Sequence, residues 1–259
     1  MGRPPKDLHY ANGVLRNKLG ITDREQLKST ERVLVDARQV EIRRDRSLLP
    51  AEFSWDRLKH THRYLFQDVY GWAGAPRDWD VAKVAPDGVL SHFLDGGLVE
   101  VTARKLFDQI AADDYLQGFG DQTPVVLAQI YNQLNVIHPF PDGNGRTGRL
   151  FIRDLADSTG HPINFDTMDA GELLTATIRG ARGNTDDLQA LFTAAAARGA
   201  PDREPQNRAQ QQAQAAHRTT HPKPTAKQSP TAGQPPQQPP QPPPGYQPPG
   251  QQRGSGHHR

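Results

Sequence analysis

Apolar residues in the first 200 positions recur mostly with helical spacing, and one short window alternates instead. Thr22-Asp23-Arg24-Glu25 has the form of a capping box, and Leu27, Leu34, Ala37 and Glu41 keep a period near 3.6 to about Arg46, with Pro50 beyond it. A second helix is expected over 54–70, with Leu58, Leu65, Phe66 and Val69 on its buried stripe. Trp72-Ala73-Gly74-Ala75-Pro76 stops it, since glycine and proline both continue a helix poorly. Helical patterns return over 98–113, 124–137, 143–158, 169–179 and 186–197. The 124–137 segment has proline in its first turn and Leu127, Ile130, Tyr131, Leu134 and Ile137 on one face. Residues 79–93 break this period. Trp79, Val81, Val84, Val89, Leu90 and Phe93 surround the turn triplet Pro86-Asp87-Gly88, which predicts a short hairpin. Two strands alone are barely stable, so the hairpin must lie on a helical body with at least one edge open. The expected class is mainly α with one small hairpin.

The pattern ends near position 199. Residues 201–259 hold 14 of the 23 prolines and 13 glutamines with few aliphatics, too little apolar surface to offset chain entropy, so a disordered tail of polyproline-II character is expected over 200–259. The tail carries seven Lys/Arg against two Asp/Glu, so of the totals 31 and 29 the first 200 residues retain 24 and 27. The folded part is slightly acidic, and direct nucleic-acid binding is not expected. Zero cysteines exclude disulfides, thiolate nucleophiles and cysteine-ligated zinc. No apolar run approaches a membrane span and the first residues lack the apolar core of a secretory signal, so a soluble cytoplasmic protein with no membrane partner is expected.

One segment concentrates chemistry: His138-Pro139-Phe140-Pro141-Asp142-Gly143-Asn144-Gly145-Arg146-Thr147-Gly148-Arg149. Gly143, Asn144 and Gly145 open a helix whose unpaired N–H groups can face a phosphate. Arg146 and Arg149, at i and i+3, can clamp two different phosphates, and Asp142 just ahead of the helix can hold Mg²⁺ between them. His138 suits the acceptance of a hydroxyl proton near neutral pH. The run Gly143–Gly148 also satisfies G-x-G-x-x-G, with Asp166 about twenty residues on. The dinucleotide reading, however, needs a strand running into the first glycine, whereas 127–137 is helical in period and Pro139, Pro141 and Asp142 interrupt the approach. A calcium loop from Asp142 would put Arg146 where an oxygen ligand belongs. A plain helix-to-helix turn explains Asp-Gly and Asn-Gly but leaves His138 and both arginines without a reason.

At these residues the chain resembles the Fic family, whose motif H-P-F-x-[DE]-G-N-G-R-x-x-R is matched at every defined position from His138 to Arg149. Leu65-Phe66-Gln67-Asp68-Val69-Tyr70-Gly71-Trp72-Ala73-Gly74 and Leu15-Arg16-Asn17-Lys18-Leu19 extend the likeness over about 10–195, so 1–199 is expected to be a Fic domain. The resemblance implies the Fic fold, a helical bundle around a central motif-bearing helix with a β-hairpin flap. It implies transfer of AMP from ATP to a hydroxyl side chain (Tyr, Ser or Thr) of a target protein. By position, His138 would be the base, Asp142 the metal ligand and Gly143 to Gly145 the anion hole, with Asn144 on the α-phosphate. Arg146 would act on the β-phosphate and Arg149 on the γ-phosphate. The phosphorylating Doc branch has lysine where this chain has Gly145 and lacks the final arginine, so Gly145 and Arg149 imply adenylylation. Val81, Ala82, Lys83 and Val84 are the candidates for docking the target as an added strand.

Many members restrain themselves with [ST]-x-x-x-E-[GN], whose glutamate pairs with the second motif arginine. None of the seven glutamates here (Glu25, Glu31, Glu41, Glu52, Glu100, Glu172, Glu204) is followed by Gly or Asn or preceded at i−4 by Ser or Thr. The resemblance then implies the toxin branch, in which a small antitoxin supplies the inhibitory helix and topoisomerase subunits are among the targets. Three alternatives stay open: transfer of UMP, phosphate or phosphocholine, or removal of AMP, on the same fold; a non-catalytic nucleotide-binding scaffold whose Pro-rich tail with Tyr246 recruits partners; and an injected effector with the tail as export signal.

Overall fold

The computed structural model describes residues 4–5 and 7–197; the expected disordered tail lies outside the described residues. Seven helices and one hairpin follow in the expected order: α1 (Arg24–Arg44), α2 (Trp55–Phe66), β1 (Ala82–Val84), β2 (Leu90–His92), α3 (Val99–Ala112), α4 (Thr123–Ile137), α5 (Asn144–Thr159), α6 (Ala170–Ala181) and α7 (Asp186–Ala197). Among the described residues no helix is long and apolar enough to cross a membrane.

Two helix readings need correction. The N-cap of α1 is Asp23, whose carboxylate accepts from the Gln26 N–H at 2.8 Å, so Glu25 lies too early to close a capping box. The stripe that α1 buries is Leu27, Glu31, Val35 and Ile42, while Ala37 is exposed. A carboxylate occupies a core position there; of the expected apolar residues Leu27 is buried and half-buried Leu34 packs against the core, so the stripe was misplaced at Ala37. Helix α2 begins near the expected residue 54, with Ser54 as its N-cap, but stops at Phe66 rather than Tyr70. Val69 and Tyr70 are buried in the turn that follows, where the Val69 carbonyl accepts from Lys18 N–H at 2.7 Å. The N-terminal segment and the loop after α2 thus clasp each other.

Helix α4 runs through the centre with all five residues of its predicted face buried, and packs against α3, α5, α6 and α7. Helix α5 packs on α4 and on α2, and α2 packs on α1. One apolar cluster joins α2 to α7 through residues such as Leu58, Phe107, Leu127, Leu134, Phe151 and Phe192; a second gathers Leu27, Val35 and Ile42 of α1 with Leu65, Phe66, Tyr70 and Leu150. Buried ions fix α5 lengthwise: Asp154 accepts from Arg57 of α2 at 2.9 Å and also pairs with Arg46. Breaking one side of such a buried pair costs about 3–5 kcal/mol.

The hairpin is short. Ala82 pairs with His92, Lys83 with Ser91 and Val84 with Leu90, antiparallel. Its strands are mostly exposed, and among the described residues their outer edges pair with no other strand. Its roots are held by buried Trp79 and the Leu94 N–H donated to the Val136 carbonyl at 3.0 Å, and its turn by Arg182, which pairs with Asp87 at 2.7 Å.

Candidate active site

Helix α4 ends where Pro139 disfavours helical backbone at the residue before it. His138 leaves the helix in the left-handed region, φ 46° and ψ 59°, while its N–H still donates to the Leu134 carbonyl at 3.0 Å. A non-glycine residue pays about 1–2 kcal/mol for this conformation, and surrounding bonds must hold it. Arg77 supplies them. Its Nε donates to the His138 carbonyl (2.7 Å), its Nη2 to the carbonyls of Ile137 (3.0 Å) and Leu94 (2.6 Å), and its Nη1 to that of Trp79. One buried guanidinium therefore binds the end of α4 to both roots of the hairpin, where a cation also suits the negative end of a helix.

The His138 ring is 6% exposed and stacked under Phe93, with ring centroids 3.7 Å apart. Burial pushes its pKa down to about 3; the Lys83 and Arg77 cations push the same way and the Asn135 carbonyl opposes them. At neutral pH the imidazole is therefore neutral, with a lone pair to accept a proton.

Past His138 the chain is pinned at each step. Phe140 is fully buried and stacks on His62 at 3.8 Å. The Asn144 side chain accepts from the Phe140 N–H (2.9 Å) and donates to the Phe140 carbonyl (2.7 Å), so its amide clasps the loop rather than facing an anion, and only its backbone N–H is open to phosphate. His62 Nδ1 accepts from the Gly74 N–H at 2.9 Å, which leaves the proton on Nε2 to donate to the Asp142 carbonyl at 3.0 Å. Burial drives the His62 pKa down to about 3 and keeps this tautomer neutral. Gly143, φ 80°, is the N-cap of α5, and an added Cβ would lie 2.4 Å from Phe66 Cζ. No side chain caps α5, so the N–H groups of Asn144, Gly145 and Arg146 face outward.

Asp142, Arg146 and Arg149 line a cleft of about 1060 Å³ between α1 and α5. The two arginines differ. Arg146 Nη2 pairs with Glu31 of α1 at 2.5 Å, and its guanidinium carbon lies 4.7 Å from the Phe66 ring centre. Arg149 makes no ion pair among the described residues. Asp142, Arg146 and Arg149 thus share one cleft wall, of which His138 is not a lining residue, while Val81 to Val84 lie on the hairpin, Ala82 to Val84 exposed and Val81 half-buried. Reading the sequence missed Arg77, His62, Glu31 and Tyr70 as parts of the site. The available signal was a charged or polar residue inside an otherwise apolar helical stripe, at Glu31 and His62.

A family model described as the Fic/DOC family matches residues 52–156. The probable protein adenylyltransferase y4lH of Sinorhizobium fredii is 32% identical over 183 residues, covering 68% of this chain and 88% of that protein. The chain belongs to the Fic/DOC family. Among Fic relatives, the protein adenylyltransferase VbhT of Bartonella schoenbuchensis is 34% identical over 181 residues, 70% of this chain, although the match spans only 36% of VbhT. The enzyme class expected from the motif is the one these relatives' names carry. Of solved Fic structures, BepC of Bartonella tribocorum with bound AMPPNP matches with TM-score 0.64 at 26% identity, over 73% of this chain and 95% of that one. An N-terminal Fic domain from Bartonella quintana with bound ADP matches with TM-score 0.66 at 26% identity, over 73% and 93%. The Fic fold expected from the motif is the fold observed, with α5 as the motif-bearing helix.

Proposed function

We propose that this Fic domain transfers AMP from ATP to a hydroxyl side chain of another protein. The observation that carries the reading is the junction of α4 and α5. There a neutral, buried His138 ends one helix, and the uncapped start of the next bears Asp142, Arg146 and Arg149 on a common cleft. His138 accepts the hydroxyl proton as the oxygen attacks the α-phosphorus; the new P–O bond forms as the bond to the β-phosphate breaks, and pyrophosphate leaves. The outward N–H groups of Asn144 to Arg146 and the two guanidinium groups hold the phosphate oxygens as charge shifts onto the leaving group. Names of relatives as adenylyltransferases, and AMPPNP and ADP in related structures, support the nucleotide and the reaction.

Among the described residues no group of three or more His, Asp or Glu could hold a metal by itself. Asp142 beside nucleotide phosphates fits Mg²⁺, which is ordinarily held by one or two carboxylates together with substrate oxygens. Bound there, the ion would neutralise charge between phosphates. The exposed backbone edge of Ala82 to Val84 is the surface on which the target segment would align as a strand. The absence of the [ST]-x-x-x-E-[GN] pattern from these 259 residues supports a toxin restrained by a separate small antitoxin, for which a cytoplasmic site of action is proposed. A topoisomerase subunit is the target class the resemblance suggests. A second reading, delivery as an effector, draws on the solved relatives described as VirB-translocated.

Incubation of purified protein with α-labelled ATP, Mg²⁺ and lysate is expected to label one or a few bands, and a His138→Ala control none. Equal labelling by the control, or none from wild type freed of any partner, overturns the reading. Co-purification without a small partner, together with growth unaffected by overexpression, overturns the toxin role.

A further inference from the structure

The two motif arginines reach the cleft in different states, and the difference traces to α1. Glu31 sits on the buried stripe of α1 between Leu27 and Val35, 7% exposed, where an aliphatic side chain would pack without desolvating a charge. Its two carboxylate oxygens are both used: Oε1 faces Arg146 Nη2 at 2.5 Å, and Oε2 accepts from the Tyr70 hydroxyl. Tyr70 is itself buried, its ring stacked on Trp72 at 4.4 Å. The ring of Phe66 covers one face of the Arg146 guanidinium. That guanidinium is therefore held at an edge and a face, and the carboxylate holding it is tethered in turn.

We propose that Glu31, tethered by Tyr70, is a positioning residue that presets Arg146 for the leaving phosphate; this rests on the AMP-transfer reading above. Only Nη2 is taken by Glu31, so the Nε and Nη1 edge is left for an anion, and 27% of the Arg146 side chain is exposed for it to reach. A long cationic side chain fixed beforehand loses little freedom when charge develops on the leaving group, so the gain falls on the transition state rather than on ground-state binding. Arg149, without such a tether, is left to adapt to the nucleotide. The opposite role, a glutamate competing with phosphate for Arg146, requires a carboxylate that can swing away, and Glu31 is anchored at its second oxygen.

The test compares wild type, Glu31→Gln and Tyr70→Phe. In AMP transfer, Glu31→Gln is expected to lower kcat by about 10-fold or more and to change the ATP KM by less than about 3-fold; Tyr70→Phe, which keeps the carboxylate, is expected to lower kcat by about 3-fold. Unchanged or higher kcat in Glu31→Gln overturns the proposal, and if that variant does not fold, unchanged kcat in Tyr70→Phe does so. A second readout needs no turnover. In ¹⁵N spectra, the Arg146 side-chain N–H signals, assigned by their loss in Arg146→Lys, are expected to be sharp and exchange-protected in wild type and broadened in Glu31→Gln. Signals already averaged in wild type overturn the proposal. Absence of AMP transfer from wild type with protected Arg146 signals would instead count against the AMP-transfer reading alone.

Discussion

Phe93 lies face to face with His138, ring centroids 3.7 Å apart and planes 18° from parallel. The root of the hairpin therefore also roofs the His138 ring. Its backbone continues the pairing there, the Phe93 N–H donating to the Val81 carbonyl at 3.1 Å. Flap position and imidazole environment are one variable.

This pairing sets the pH profile. Burial holds the His138 pKa at about 3, below the ordinary 6.5, so the ring stays unprotonated as pH falls through 6 and 5, and on the proposed function it remains able to act as the base. The profile of kcat/KM, which reports the free enzyme, is expected to show no acid limb near 6.5 in wild type. Phe93→Ala admits water and should move the limb upward toward 6.5, with NMR titration of the His138 ring following it. A wild-type limb at 6.5 would contradict the buried base.

Stability should fall on acidification for the same reason. His62 and His138 both have folded pKa values of about 3 against 6.5 unfolded, so between these values the unfolded chain binds the extra protons. Their contribution is complete above about pH 6.5 and is lost progressively as pH falls toward 3, at roughly 1.4 kcal/mol per pH unit for each histidine. Urea midpoints at pH 7, 6 and 5 should drop accordingly. In His62→Asn the drop should be shallower by about one proton; an identical slope would show that His62 is not the buried neutral group described.

Gly143 is constrained by packing as well as by its role at the helix mouth. Gly143→Ala must hold φ 80° with a Cβ about to meet Phe66 Cζ at 2.4 Å and His62 Nε2 at 3.1 Å. The left-handed penalty and overpacking together predict a loss of about 2–5 kcal/mol. Thermal melts should show it, alongside weaker binding of an ATP analogue. A variant as stable as wild type would mean the loop shifts freely.

Arg77→Lys keeps the charge but replaces a fork that reaches four carbonyls with three donors on a flexible stem. AMP transfer is expected to fall by about 10-fold or more as the hairpin roots and His138 loosen together. Hydrogen exchange at Trp79 and Leu94 should speed up in parallel. Normal exchange with lost activity would separate Arg77 from the flap.

The helices were legible because each carries enough local pattern, such as the apolar stripe Leu58, Leu65 and Phe66 on α2, or five apolar residues and a first-turn proline on α4. The motif was legible because twelve consecutive residues carry it. Glu31 was hidden by its type, since a carboxylate is read as solvent-facing until its partners are seen, and this shifted the stripe of α1 toward Ala37. The clasp that the Asn144 side chain makes on the Phe140 backbone was not legible either, since a contiguous motif names the residue but not which neighbouring backbone groups its amide meets.

By itself the amino-acid order determined the helices, the hairpin and the chemical types gathered from His138 to Arg149, since caps, periodicity and a contiguous motif act over a few residues. Tertiary structure alone decided which of those groups is preset and which is free. Arg77 reaches a carbonyl 61 positions away, and Glu31 and Phe93 meet Arg146 and His138 from other elements. Burial and hydrogen-bond partners, the quantities that set the protonation of an imidazole and the freedom of a guanidinium, exist only once distant segments have packed.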